Sequence, residues 1–169
     1  RHFRPQTPPF RLTTLDQRQR LFAEAGADAM LVFGFDAALA GLSAREFASQ
    51  RLVELIGAGG VVTGADFTFG KGRDGDVAIL RALGEELGFS VDTVAPVAES
   101  GDVISSSLIR EALQAGKPRK AAALLTRPFA IQGVVEPGAK LGRELGYPTA
   151  NLGLGNYLRP RYGIYAVRG

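Results

Sequence analysis

The sequence predicts an α/β protein: a parallel sheet covered by helices, followed by a smaller β-rich unit. Three observations predict it. Apolar runs of strand length alternate with helical patterns through the first two thirds, in the order α-β-α-β-α-β-α. The helix boundaries are written in capping residues and terminal glycines. After Pro118 the pattern changes, because one short helix follows and then nothing with helical periodicity.

The elements follow in order. Thr14 with Gln17 fits a capping box ahead of "LDQRQRLFAEA", a helix that Gly26 ends. "AMLVFGF" (residues 29–35) has the length and β-content of a buried strand. Ser43 with Glu46 fits a second capping box, Leu42 and Phe47 have the spacing of a hydrophobic staple, and this helix stops near Gly57. "GGVVTG" is the next strand, and a helix from Asp76 to Leu87 follows with Gly88 just past its end. Then come a strand in "FSVDTVAPV", a helix from about Ser107 to Ala115 ended by Gly116, and the short helix "PRKAAALLT". Beyond it "FAIQGVVE" and "GIYAVRG" are strand-like, which puts a domain boundary near residues 117–128. Only about 40 residues follow, too few for an independent β domain, so the chain is expected to be cut at its C-terminal end.

Composition narrows the function classes. The 169 residues suffice for one domain with a proper core or for two small or incomplete ones, and 46% hydrophobic with 22% charged residues describes a globular rather than a disordered chain. There is no cysteine, which excludes disulfides, zinc–thiolate sites and cysteine nucleophiles and agrees with a reducing compartment. The longest apolar run, residues 29–35, is far below the roughly 20 residues of a membrane span. "RHFRPQTPPF" has no apolar stretch of the secretory type, so a cytoplasmic protein is expected. The net charge of +3 hides an asymmetry. Residues 1–20 carry five Arg against one Asp, residues 21–116 six basic against fourteen acidic, and residues 117–169 nine basic against two acidic. The basic last third fits an anionic partner or an ordinary solvated surface.

Three stretches have the residue types that chemistry needs. In "GADFTFGKGRDGD" (residues 64–76), Gly70, Gly72 and Gly75 match a dinucleotide fingerprint, with Asp92 about 20 residues on. The match is weak, since six residues separate "VVTG" from Gly70, and the spacing also fails as a P-loop. The stretch reads either as a surface loop or as a ligand loop at the carboxyl end of a strand, with Lys71 and Arg73 available to anions. In "ISSSLIREAL", three serines open a helix that one hydroxyl would cap, and Arg110 stands in its first turn, where the helix dipole disfavours a cation. An anion bound there resolves both oddities; simple capping, with Arg110 turned away, is the other reading. In "GAKLGRELGYPTAN", Gly138, Gly142 and Gly146 recur at four-residue spacing with Lys140 and Arg143 between them. The glycines let backbone approach a polyphosphate that the cations neutralise. Thr149 and Asn151, two apart on an extended segment, offer hard oxygen ligands of the kind Mg²⁺ takes. A turn-rich hairpin is the alternative.

Together these stretches resemble the bifunctional prokaryotic riboflavin kinase/FMN adenylyltransferase family, also called FAD synthetase. "PPFRLT", "LSAREF", "GADFTFGKGRDGD", "ISSSLIREAL", "RPFAIQGVV", "GAKLGRELGYPTANL" and "GIYAV" come in that family's order over essentially the whole chain. "GRELGYPTAN" is the most specific of them, similar to the flavokinase signature of a glycine-rich loop followed by Pro-Thr-Ala-Asn.

The resemblance implies a Rossmann-like nucleotidyltransferase domain over residues 1–117, a linker helix over 118–128, and part of a flavokinase-type β-barrel over 129–169. The first would transfer AMP from ATP to FMN, giving FAD and pyrophosphate; the second would phosphorylate riboflavin to FMN with ATP and Mg²⁺. It implies that Thr149 and Asn151 hold Mg²⁺ and ATP phosphates, and that Gly138, Lys140, Gly142 and Arg143 line the nucleotide loop. Ser105, Ser106, Ser107 and Arg110 would match the adenylyltransferase's phosphate-binding motif, and Asp66, Phe67, Phe69 and Gly70 its flavin- and nucleotide-facing loop.

Departures accompany the match. Ser107 stands where the family often has threonine, and the family's paired-histidine motif precedes the start of this chain; His2 lacks its partner and glycine context. The kinase's carboxylate base falls beyond residue 169, and neither Glu136 nor Glu144 is at a matching position. The chain is therefore expected to be an internal portion lacking both ends and a catalytic element of each half. Small-molecule substrates are the expected partners, with neither nucleic acid nor membrane, and the oligomeric state stays open. Two other readings are a nucleic-acid-binding barrel using the basic, tyrosine-bearing last third, and a nicotinamide-dependent oxidoreductase using Gly70, Gly72, Gly75 and Asp92. Neither accounts for "GYPTAN".

Overall fold

A computed structural model of the protein describes residues 6–99, 102–138, 146–147 and 149–169. Helix α1 (Leu15–Glu24) starts on the predicted capping box: Thr14 Oγ1 accepts from the Gln17 amide at 3.1 Å, and Gln17 Oε1 accepts from the Thr14 amide at 2.9 Å. One-turn α2 (Ala37–Gly41) is capped by Asp36, a start that the sequence reading passes over. The second predicted capping box opens α3 (Ala44–Phe47), with the Ser43 amide donating to Glu46 Oε2 at 2.8 Å. This helix continues over Ala48–Leu55 in the wider π form and ends where Gly57 turns left-handed at φ 67°. Helix α4 (Val77–Leu87) is capped by the Asp76 carboxylate and closed by Gly88 at φ 84°. Helices α5 (Ser106–Gln114) and α6 (Pro118–Leu125) complete the set among the described residues.

The chain divides into two units, and residues 32–103 form the first. Strand β1 (Gly60–Gly64) leads through α4 to β2 (Ser90–Val94), and the two strands pair in parallel, Gly60 opposite Ser90 and Gly64 opposite Val94. Parallel strands need such a crossover, and α4 supplies it. Its face carries Leu80 and Leu83 into a core with Ala44, Ala48, Phe69 and Phe89. Leu80 is fully buried, which at the usual yield for a leucine side chain is worth roughly 1.5–3 kcal/mol. Gly84 lets the helix lie close to the strand, because a Cβ there would stand 2.5 Å from the Phe89 carbonyl oxygen. A short antiparallel pair, β3 (Ala98–Glu99) with β4 (Asp102–Val103), closes the unit.

Residues 6–31 and 104–169 form the second unit. Here α5 and α6 enclose Ile109, Ala112, Leu113, Ala121 and Leu158. The end of α5 is satisfied locally and from afar, since the Gly116 and Arg161 amides both donate to the Leu113 carbonyl at 3.0 Å. Tyr157 is buried and bridges Arg11, with the Leu158 amide donating to the Arg11 carbonyl at 2.8 Å. Strands β5 (Val135–Glu136) and β6 (Asn151–Leu152) pair antiparallel, Glu136 opposite Asn151.

Three strand expectations are corrected. Residues 29–35 form no β pairing, and Leu31, Val32 and Phe35 lie more than half exposed. "GIYAVRG" is likewise without strand, Ile164 and Val167 being exposed, and "FAIQGVVE" is strand only at Val135–Glu136. The reason is common to all three: an apolar, β-branched run becomes a strand only where a second strand lies alongside it, and among the described residues no strand pairs with 29–35 or 163–169, while β6 meets "FAIQGVVE" only at Val135–Glu136. The fold is therefore mixed α/β with a two-stranded parallel sheet. Beyond residue 117 the described β structure is the β5–β6 ladder and the bridge at Tyr157.

Candidate functional site

The serine-rich start of α5 has two separable parts. Ser105 is extended, and its Oγ accepts from the Leu108 amide at 3.2 Å, so one hydroxyl caps the helix. Ser106 and Ser107 are exposed, at the end of the helix where backbone amides lack intrahelical acceptors. Because α5 begins at Ser106, Arg110 is its fifth residue, one residue deeper than the sequence places it and just past the first turn. Its guanidinium donates through Nε to the Phe10 carbonyl at 3.0 Å and lies over the Phe10 ring, 5.4 Å from the centroid. Hydroxyls, open amides and a cation can together hold an anionic oxygen cluster. Phe10 escaped the sequence reading as a site residue, since a partner 100 positions away leaves no local signal.

The loop after β1 divides differently. Asp66 is exposed beyond the carboxyl end of the strand, and the Phe67 amide closes a turn onto the Gly64 carbonyl at 3.2 Å. Phe67 stacks on Phe69 at 5.4 Å and 11°, while Phe69 is buried and packs on Phe47 at 5.7 Å. Phe69 thus belongs to the core of its unit. Gly70, at φ 78°, brings the Lys71 amide to the Leu42 carbonyl at 2.7 Å, and a Cβ there would press on the Ala44 amide and the Asp74 carboxylate. The Asp74 oxygens accept from that same Ala44 amide at 3.1 and 3.3 Å, which ties the loop to the start of α3.

This geometry removes the dinucleotide reading. The helix that follows the glycines has its anion-favouring end filled by Asp76, whose Oδ1 accepts from the Ile79 amide at 2.9 Å. Asp92 pairs with Val62 in mid-strand rather than standing at the carboxyl end.

In the "PTAN" region, Thr149 and Asn151 are both exposed, and Asn151 stands on β6 opposite Glu136. A Cβ at Gly138 would collide with the Asn151 amide group, so the glycine makes room for that side chain. Lys140, Gly142, Arg143 and Glu144 lie outside the described residues. Among the described residues no group of three or more His, Cys, Asp or Glu is arranged to hold a metal. A cleft of about 180 Å³, also passed over by the sequence reading, is lined by Arg11, Thr13, Thr14, Gln132 and Tyr157. No described helix is long and apolar enough to cross a membrane.

Comparison with known proteins gives two family models in succession. A family model for FAD synthetase matches residues 1–108, and one for riboflavin kinase matches residues 125–169. The chain is 41% identical over 165 residues to the bifunctional riboflavin kinase/FMN adenylyltransferase of Escherichia coli, covering 98% of this chain and 53% of that protein. The proteins of the same description from Pseudomonas fluorescens and Haemophilus influenzae are 40% and 36% identical over 98% and 99% of this chain, and over 53% and 54% of their own lengths. The chain thus spans about half the length of the curated relatives it matches. A crystal structure described as a macrolide-efflux protein from Streptococcus pneumoniae is similar at a TM-score of 0.82 and 30% identity, over 96% of this chain and 53% of that one.

Proposed function

We propose a function from one premise: the chain belongs to the FAD synthetase family. The protein takes part in making flavin nucleotides, phosphorylating riboflavin to FMN and adenylylating FMN to FAD. The observation that carries this reading is the succession, within one chain, of a FAD synthetase segment and a riboflavin kinase segment. We divide the labour as an adenylyltransferase region over 1–117, a linker helix over 118–128 and a kinase region of β-barrel type over 129–169.

In the first reaction a phosphate oxygen of FMN attacks the α-phosphorus of ATP, and pyrophosphate leaves. We assign the departing phosphates to Ser106, Ser107, the open amides of α5 and Arg110, and, separately, a flavin- and nucleotide-facing loop to Asp66 and Phe67. Developing charge there meets preorganised donors rather than water that must reorient. In the second reaction the terminal hydroxyl of riboflavin attacks the γ-phosphorus, and ADP leaves. Gly138, Lys140, Gly142 and Arg143 would line the phosphates, and Thr149 and Asn151 would bind the metal.

Both proposed metal ligands are neutral oxygen donors on an exposed segment, and no carboxylate cage stands among the described residues. Such a donor set fits Mg²⁺, which is usually held by few protein oxygens and by the substrate's own phosphates. When bound, the ion offsets the charge of the transferring phosphoryl group.

The test uses the full-length protein with riboflavin, ATP and Mg²⁺. FMN and then FAD are expected by chromatography, and formation of neither would overturn the reading.

A further inference from the structure

We infer that Phe10 is a positioning residue for Arg110, fixing the guanidinium so that its outer edge faces a bound polyphosphate. This deepens the function proposed above and rests on its assignment of Arg110 to the phosphates of ATP.

The geometry is specific about which parts of the arginine are used. Its Nε–H goes to the Phe10 carbonyl at 3.0 Å, and its Cζ lies over the Phe10 ring, 5.4 Å from the centroid. One residue thus engages the Nε edge with its carbonyl and the cation with its ring, and leaves the Nη1/Nη2 end, the part that meets phosphate bidentately. Both contacts are to neutral groups. Among the described residues Arg110 forms no ion pair, so its charge stays uncompensated on a helix whose positive end lies only a turn away. A carbonyl and a ring orient Arg110 without neutralising it, so its charge is left for an anion that arrives later.

The ring also acts on entropy. Arg side chains carry much rotamer freedom, and what is frozen in advance need not be frozen when the ligand binds. Phe10 is 39% exposed, so the ring contact belongs in the range for surface cation–π pairs.

The experiment is steady-state adenylylation of supplied FMN by the full-length protein. Phe10→Ala and Phe10→Leu are expected to raise KM for ATP about two- to five-fold, the equivalent of an exposed cation–π contact, and to raise the inhibition constant of pyrophosphate in step. Expected kcat and riboflavin phosphorylation are unchanged, and Phe10→Tyr keeps the original KM. An unchanged KM in Phe10→Ala overturns the inference, as does a Phe10→Leu variant that behaves like the original, since bulk alone would then suffice. Loss of both activities together also overturns it, by marking Phe10 as merely structural. Arg110→Ala is run beside them. Should it leave adenylylation intact, the underlying assignment of Arg110 is wrong; should it abolish adenylylation while Phe10→Ala changes nothing, only the positioning role falls.

Discussion

The Tyr157 hydroxyl donates to Gln17 Oε1 at 2.7 Å, joining residues 140 positions apart. Both side chains are buried, and the same pair is tied further: Gln17 Nε2 donates to the Ala130 carbonyl at 3.1 Å, and the Gln132 amide donates to the Tyr157 hydroxyl at 3.1 Å. A capping residue of α1 is thereby made a tertiary contact, which explains a glutamine at 8% exposure.

Tyr157→Phe keeps the ring and its edge-on contact with Phe129, but it strips the Gln132 amide of its acceptor. A loss of about 1–3 kcal/mol is expected, the cost of a buried polar group left unmade. Urea unfolding checks it, and an unchanged midpoint would show that water replaces the hydroxyl.

Gly84→Ala sets two effects against each other. Alanine gains about 1 kcal/mol of helix propensity, but its methyl would stand 2.5 Å from the Phe89 carbonyl and 3.1 Å from Val91 Cγ2. Backbone cannot give way like a side-chain tip, so overpacking of about 1–3 kcal/mol wins and the variant is less stable. A raised melting temperature would contradict the close approach of α4 to β2.

Glu46 carries a pH dependence of known sign. The Ser43 backbone amide, and secondly its hydroxyl, hold the carboxyl below the ordinary carboxylate range. A depressed value in the folded state means that the stabilisation is complete above the unfolded value and is lost as pH falls through the folded one. Glu46→Gln should therefore be less stable at neutral pH, with the gap closing in acid. Melting temperatures of both proteins across that range decide it, and a gap that stays constant would refute the assignment.

Thr149→Ala in the full-length protein should lower riboflavin phosphorylation on the order of 100-fold, the scale for removing one preorganised electrostatic partner. Adenylylation of added FMN should be spared. Equal loss of both activities would show that the division between the two regions is wrong.

Much of the local structure was legible in the residues. Thr14 with Gln17, Ser43 with Glu46, Asp76 and Gly88 mark helix boundaries through bonds that span three or four residues, and all stand where expected. The serines of α5 were legible for the same reason, and the motif order alone carried the family.

What the sequence by itself determined is thus what short-range hydrogen bonding and backbone freedom dictate, together with the family written in its motifs. The tertiary structure decided the rest. Residues 29–35 carry a strand's composition without a strand's pairing, because a ladder is a property of two segments. Phe69 turned from a loop aromatic into core because Phe47 and Phe67 meet it. Gly70 and Gly75, which resemble a nucleotide fingerprint, are required by close contacts with Ala44, Asp74 and Phe69. Arg110 acquired its orientation from Phe10 across 100 residues. Each depends on which surfaces meet when apolar area leaves water, a sum over the whole chain that no single window contains.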